Sequence, residues 1–210
     1  MDLPKKLNIG SGKSFLEDHL NLDVSPFWRP DIVADLNRPF PADPEIPYPT
    51  DRFGPVLLPP ACMEEVLALD VLEHIQDLAV CMKSCLDLLV EGGRFRISVP
   101  YELSLGAWSD PTHVRTFNER SWIYFTDWFW YWGWTTHRFQ QTKLLFLCSE
   151  HGENLREQGK ELDELLRINR AIDAMQVELV KVPLNENEKH LLDYHRSRSK
   201  PVHTCRTCEY

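Results

Sequence analysis

The chain has no uninterrupted apolar run of the roughly 20 residues that a bilayer span requires, so no membrane-crossing segment is expected. The start, Met1-Asp2-Leu3-Pro4-Lys5-Lys6, carries no apolar stretch, and no secretory leader is expected. Excess positive charge is missing too: 23 Lys and Arg face 32 Asp and Glu, a formal net charge of −9. Binding to a phosphate backbone is driven by Lys and Arg, so nucleic acid is not expected as the main partner. Arg196, Arg198 and Lys200 form a local basic cluster that reads as a solvated tail. A paired-cysteine framework is also lacking. Cys205 and Cys208 form one CxxC beside His203, but without a second pair it lacks the four ligands of a structural zinc site. Cys81 and Cys85 lie one helical turn apart and read as core. The six cysteines sit at irregular spacings in a chain too long to need disulfide staples. They read as reduced thiols, and a cytoplasmic location is expected.

What is present is an ordinary globular composition, 43% hydrophobic and 26% charged over 210 residues. That length suits one domain, expected over 1–184, followed by a polar and partly disordered tail over 185–210. No internal repeat interrupts it. Short apolar runs alternate with loops in the manner of parallel βαβ construction. Strands are expected at 6–9, 20–24, 31–34, 65–69 and 94–99, with a helix from about Asp77 to Val90 stopped by Gly92-Gly93. The many prolines of 38–61 predict a long surface loop. Further on, the pattern predicts a strand at 143–147, an amphipathic helix over 153–173 and a strand at 177–182.

Three strand ends carry chemistry. The first strand runs into Gly10-Ser11-Gly12, where the absence of a Cβ lets the backbone turn sharply and approach a ligand. Asp23 ends the second strand, where an acid accepts hydrogen bonds from the ribose hydroxyls of an adenosine ligand. Asp35 follows the third strand, within reach of an adenine ring in the same crevice. A turn or helix-capping role would also account for an isolated Asp at position 23.

The segments LNIGSG, LNLDV, DIVADLN, LALDVLEHI and LLVEGGRFRISVP, in this order, resemble the class I S-adenosylmethionine-dependent methyltransferases. The likeness is to the small bacterial type with a shortened first crossover. It covers roughly residues 5–122, with Asp70-Val71-Leu72-Glu73-His74 and Asp110-Pro111-Thr112-His113 its most specific pieces. The resemblance implies a Rossmann-like α/β fold with a mostly parallel seven-strand-type sheet flanked by helices, the last strand antiparallel. It implies S-adenosylmethionine as the cofactor, with Gly10 and Gly12 beside the methionine moiety and Asp23 holding the ribose. Asp35 and Leu36 would border the adenine, with Asp70 and Val71 near the sulfonium. Asn8, Ser11, Val24 and His74 complete the expected donor contacts. Ser14 stands where a third glycine often occurs. About ten residues separate Gly10 from the second strand, so the first crossover helix is expected to be truncated or absent.

Two other nucleotide readings fit less well. Gly12-Lys13-Ser14 imitates the end of a P-loop, but Leu7 occupies the position of the required first glycine. A nicotinamide fold needs GxGxxG opening a helix, and no further glycine follows Gly12 before the next strand. Methyl transfer asks the protein to position an acceptor and remove its proton, and the candidate residues are His113, Asp110 and His74. His113 and Arg115 also suit a structural role tying the loop to Asp110 or Glu119, and Glu73-His74 suits a turn-fixing role. No metal site is assigned, because Asp110 and His113 are two potential ligands and too few to define one. The block from Trp122 to Trp134 holds nine aromatics in thirteen residues. It suits core packing, a homodimer face or the wall of an acceptor pocket, with Trp108 and one or two of its rings at the site. The acceptor expected from this balance is a small molecule or glycan. The alternative is a catalytically silent relative that keeps the fold as a binding or scaffold module.

Overall fold

The structure is a computed structural model and describes residues 3–198. In chain order it contains β1 (Lys6–Ile9), β2 (Leu20–Asp23), β3 (Ile32–Val33), β4 (Tyr48–Thr50), β5 (Gly54–Val56), β6 (Met63–Leu69) and α1 (Leu78–Leu88). There follow β7 (Leu89–Pro100), β8 (His137–Cys148), α2 (Glu150–Glu157), α3 (Leu162–Leu165), β9 (Ile172–Pro183) and α4 (Glu186–Arg198). Seven strands form one sheet in the order β3-β2-β1-β6-β7-β9-β8. Pairs from β3 to β7 are parallel, and β9 runs against both its neighbours. The expected Rossmann-like sheet with an antiparallel last strand is therefore observed.

The chain leaves β1 in one direction to build β2 and β3, then returns to place β6 on the other side of β1. That reversal opens a crevice at the carboxyl ends of β1 and β6, the ligand position of open α/β sheets. β1 and β2 are buried on both faces, with Leu7, Ile9, Leu20 and Leu22 fully enclosed. No helix forms between them, as the ten-residue spacing predicts. A loop covers this face instead, and its carbonyls need donors that an apolar strand could not supply. The buried, paired Asn8 and Asn21 provide them: Asn8 Nδ2 donates to Ser14 O (2.9 Å) and to Asn21 Oδ1 (3.0 Å), and Asn21 Nδ2 donates to Leu16 O (2.8 Å). On the other side of the sheet, β7 and β9 alternate buried and open positions. Their open face is polar, with Arg96 Nε 3.3 Å from Glu65 and 3.5 Å from Glu178.

Several boundaries differ from the sequence reading. Asp77 caps α1 by accepting from Val80 N at 3.1 Å, but the helix ends at Leu88 rather than Val90. Gly92-Gly93 lies inside β7, where the register against β6 shifts, instead of terminating the helix. The proline-rich segment contains the β4–β5 hairpin and buries Phe40, Val56 and Leu58. The expected helix over 153–173 is two short helices and the start of β9. Gly159, at φ 89°, ends the first, and Gly152 sits so close to Ala171 O that a Cβ would lie within 2 Å of it. The strands expected at 143–147 and 177–182 extend to twelve residues each. Residues 186–198 of the polar tail form α4, which buries Leu192 and stacks His195 on Trp130 at a 3.7 Å centroid separation. Cys205, Cys208, His203 and Lys200 lie outside the described residues. No helix among the described residues is long and apolar enough to cross a membrane.

Candidate active site

The turn after β1 is left-handed at Gly10 (φ 60°) and Gly12 (φ 44°), conformations that L side chains rarely adopt. A Cβ on Gly10 would stand 2.5 Å from Val71 Cγ2, so the turn fits against β6's exit only without one. Gly12 N–H donates to Asp23 Oδ2 (2.8 Å), and Ser25 N–H donates to Asp23 Oδ1 (2.8 Å). Asp23 thus fastens the glycine turn to the end of β2. Each of its oxygens keeps a further lone pair for a ligand donor. Ser11 N–H donates to Leu22 O (2.9 Å), while its hydroxyl is buried and unpartnered.

Between these strand ends lies a cleft of about 300 Å³. It is lined by Gly10, Asp23, Val24, Asp35, Leu36, Asp70, Val71 and His74, all expected from the sequence, and also by Leu22, Ala34, Asn37 and Ile75. Asp35 accepts from Asn37 N (2.9 Å) and Asn37 Nδ2 (2.8 Å), and these bonds, the backbone one foremost, hold its carboxyl below the usual range. Asp70 takes a positive φ of 53° at the end of β6, with its N–H donating to Ser98 O (2.9 Å). Asn8, Ser11 and Gly12 do not line the cleft. Asn8 acts behind it, holding the loop, and Gly12 reaches it through Asp23.

A second group adjoins this cleft through His74. Glu73, His74 and His113 each place a ligand-capable atom within 4.8 Å of the other two. The two imidazoles meet edge to face at 4.6 Å between ring centroids. His113 Nδ1 lies 2.9 Å from Ala107 O, a carbonyl that can only accept, so this nitrogen carries the proton. Thr112 Oγ1 donates to Asp110 Oδ1 (2.6 Å) and so accepts from His74 Nδ1 at 2.9 Å. Glu73 is 1% exposed, and among the described residues neither of its carboxylate oxygens has a hydrogen-bond partner. Burial foremost, with Asp70 and Asp110 adding repulsion, pushes its carboxyl up to about 7. Asp110 itself is held low by the Thr112 hydroxyl and N–H. Of the three expected catalytic residues, His74 and His113 meet directly, and Asp110 joins them only through Thr112. Glu73 was read from the sequence as a turn-fixing residue. Nothing in a glutamate beside a histidine distinguishes a buried carboxylate from an exposed one.

The aromatic block does not reach the cleft. Trp122, Phe125, Phe129 and Trp134 are buried core, and Trp108 is 65% exposed. Tyr124, Phe125 and Trp132 line instead a cavity of about 390 Å³ beside Arg115 and the start of α1.

The chain has the Rossmann-like fold of solved S-adenosylmethionine-dependent methyltransferases. One of these, from Archaeoglobus fulgidus, aligns with 85% of this chain and 86% of its own at a TM-score of 0.59 and 16% identity. The [4+2]-cyclase SpnF is similar over 88% of this chain and 77% of its own, at a TM-score of 0.52 and 12% identity. No protein-family model and no curated protein matches the chain.

Proposed function

We infer that the protein is an S-adenosylmethionine-dependent methyltransferase acting on a small-molecule or glycan acceptor. The observation that carries this reading is the single cleft joining the Gly10 turn, Asp23 and Asp35 at the point where the strand order reverses. The cleft fits an adenosyl ligand in its donor set. Asp23 has free lone pairs for two vicinal hydroxyls, Leu36 and Ile75 offer apolar walls for a purine, and Asp70 sets a carboxylate against a positive sulfonium. When bound, that ligand would supply an electrophilic methyl group on sulfur, with the neutral thioether as the leaving group of an in-line transfer to the acceptor. The chain then has two tasks, orienting the acceptor and taking its proton. His74, at the border of the cleft and the Glu73–His113 group, is placed for both. His113 stands behind it with Nδ1 fixed on Ala107 O and its other ring nitrogen available as a proton acceptor. Asp110 orients His74 through Thr112.

Calorimetric titration of the purified protein with S-adenosylmethionine and S-adenosylhomocysteine, with NADH as control, tests the reading. Micromolar binding of the adenosyl ligands alone is expected, lost in Asp23→Ala. A folded protein that binds neither would overturn it. Binding without transfer to any hydroxyl, amine or carbon acceptor would favour the silent scaffold.

A further inference from the structure

Glu73, His74 and His113 bring three ligand-capable side-chain atoms within 4.8 Å of one another. Each histidine has its Nδ1 proton committed outward, to Thr112 Oγ1 and to Ala107 O, which leaves Nε2 bare on both rings. The Glu73 carboxylate is almost fully buried with both oxygens unpartnered among the described residues, although a buried polar group without a partner costs stability. Asp70 and Asp110 add negative potential from two further sides, and Arg115, a cation of the same loop, directs its guanidinium to Gln76 O (2.7 Å). Ligand-capable atoms gathered in a negative field suit a cation.

We propose that Glu73, His74 and His113 form a binding site for one divalent transition-metal cation of the zinc, manganese or iron(II) class. Two imidazoles and one carboxylate are the donor set such ions take with coordination positions left open. Magnesium and calcium favour all-oxygen cages instead. The outer contacts are those that metal-bound histidines use, a backbone carbonyl on one ring and a hydroxyl backed by a carboxylate on the other, fixing the tautomer that leaves Nε2 to accept. The site completes the ligand set that Asp110 and His113 alone could not define: Asp110 serves outside it, and Glu73 and His74 are the missing ligands.

The metal site rests on these side chains and not on the donor reading. If the adjoining cleft binds the methyl donor, the cation's open position faces the acceptor. It would then lower the pKa of an acceptor hydroxyl, whose proton passes to solvent, with His74 and His113 as its ligands in place of the proton-accepting role they have in the metal-free protein.

The test is titration of chelator-stripped protein with Co²⁺, read by its visible absorption bands, followed by Zn²⁺ competition, all without adenosyl ligand. One equivalent of Co²⁺ displaced by Zn²⁺ is expected. Glu73→Gln and His113→Ala should each abolish the bands, and Thr112→Val should weaken affinity about 10-fold through the orientation of His74. Zn²⁺ should raise the melting temperature of the wild type and leave that of Glu73→Gln unmoved. Absence of Co²⁺ uptake by the folded wild type would overturn the site, as would equal affinity in Glu73→Gln and His113→Ala. S-adenosylhomocysteine titration in excess chelator keeps the two failures apart, since the donor cleft lacks Glu73 and His113.

Discussion

Gly10 and Val71 are in contact so close that a single added methyl on Gly10 would lie 2.5 Å from Val71 Cγ2 and 2.7 Å from Cγ1. Gly10→Ala is therefore expected to lose roughly 1–3 kcal/mol of stability from overpacking and from its positive φ together. Val71→Ala in the same chain removes the clash and leaves the backbone strain. Denaturant unfolding of the two single variants and the double should give a favourable coupling for the pair. Additive losses would show that the contact does not set the turn.

Asp23 holds the turn and lines the cleft, and the two roles separate by substitution. Asp23→Asn keeps one acceptor oxygen, and the effect expected is on ligand affinity. S-adenosylhomocysteine binding should weaken by about 1–3 kcal/mol, the scale of hydrogen bonds to a charged group. The melting temperature should fall less than in Asp23→Ala, which frees the N–H groups of both Gly12 and Ser25. Unchanged affinity in a folded Asp23→Asn protein would remove Asp23 from the ligand site.

Much of the cleft was legible because its residues sit at strand ends, and strand ends can be counted from apolar runs. Gly10, Asp23, Asp35 and Asp70 all fall at the sheet's carboxyl edge as that counting predicts. The Glu73 group was not legible, because its meaning lies in burial and in the bond between His74 and Thr112, 38 residues apart in sequence. The paired Asn8 and Asn21 were equally hidden. They make sense only once a loop, rather than a helix, is seen to cover β1 and β2. The 153–173 pattern misled because its apolar spacing continued through Gly159, where a positive φ breaks the helix.

Arg52 and Asp31 pair end to end, with Arg52 Nε 2.8 Å from Asp31 Oδ1 and a second guanidinium nitrogen 2.8 Å from Oδ2. Asn21 N–H adds a bond of 2.8 Å, and the guanidinium lies 4.6 Å from the ring centres of both Phe15 and Phe53. Burial alone would raise the Asp31 carboxyl, but the bonds from Arg52 and Asn21 outweigh it and hold the carboxyl below its usual range. Because the folded group titrates below its unfolded value of about 3.9, its contribution is fully present above that value. It is lost as pH falls through the lower, folded value. Asp31→Asn should destabilise the protein at neutral pH and flatten the acid limb of a stability-versus-pH curve. An acid limb identical to wild type would assign that limb to other carboxylates.

α4 is polar along most of its length and holds to the fold through a few contacts. Leu192 is buried, His195 stacks on Trp130, and Glu188 Oε1 lies 2.6 Å from an Arg138 guanidinium nitrogen on β8. The ion pair is mostly buried, and Arg138 Nε also donates to Glu188 Oε1 at 2.7 Å, so both contacts hold the helix. Leu192→Ala should cost about 2 kcal/mol, the low end for a buried leucine, because the helix edge can relax into the space. Glu188→Gln should also destabilise the protein, by weakening its two bonds to Arg138. Because Trp130 belongs to the aromatic block and not to the cleft, neither change should alter S-adenosylhomocysteine affinity. Calorimetric binding beside thermal unfolding checks both halves of the expectation. A loss of ligand affinity in folded Leu192→Ala would couple this helix to the site.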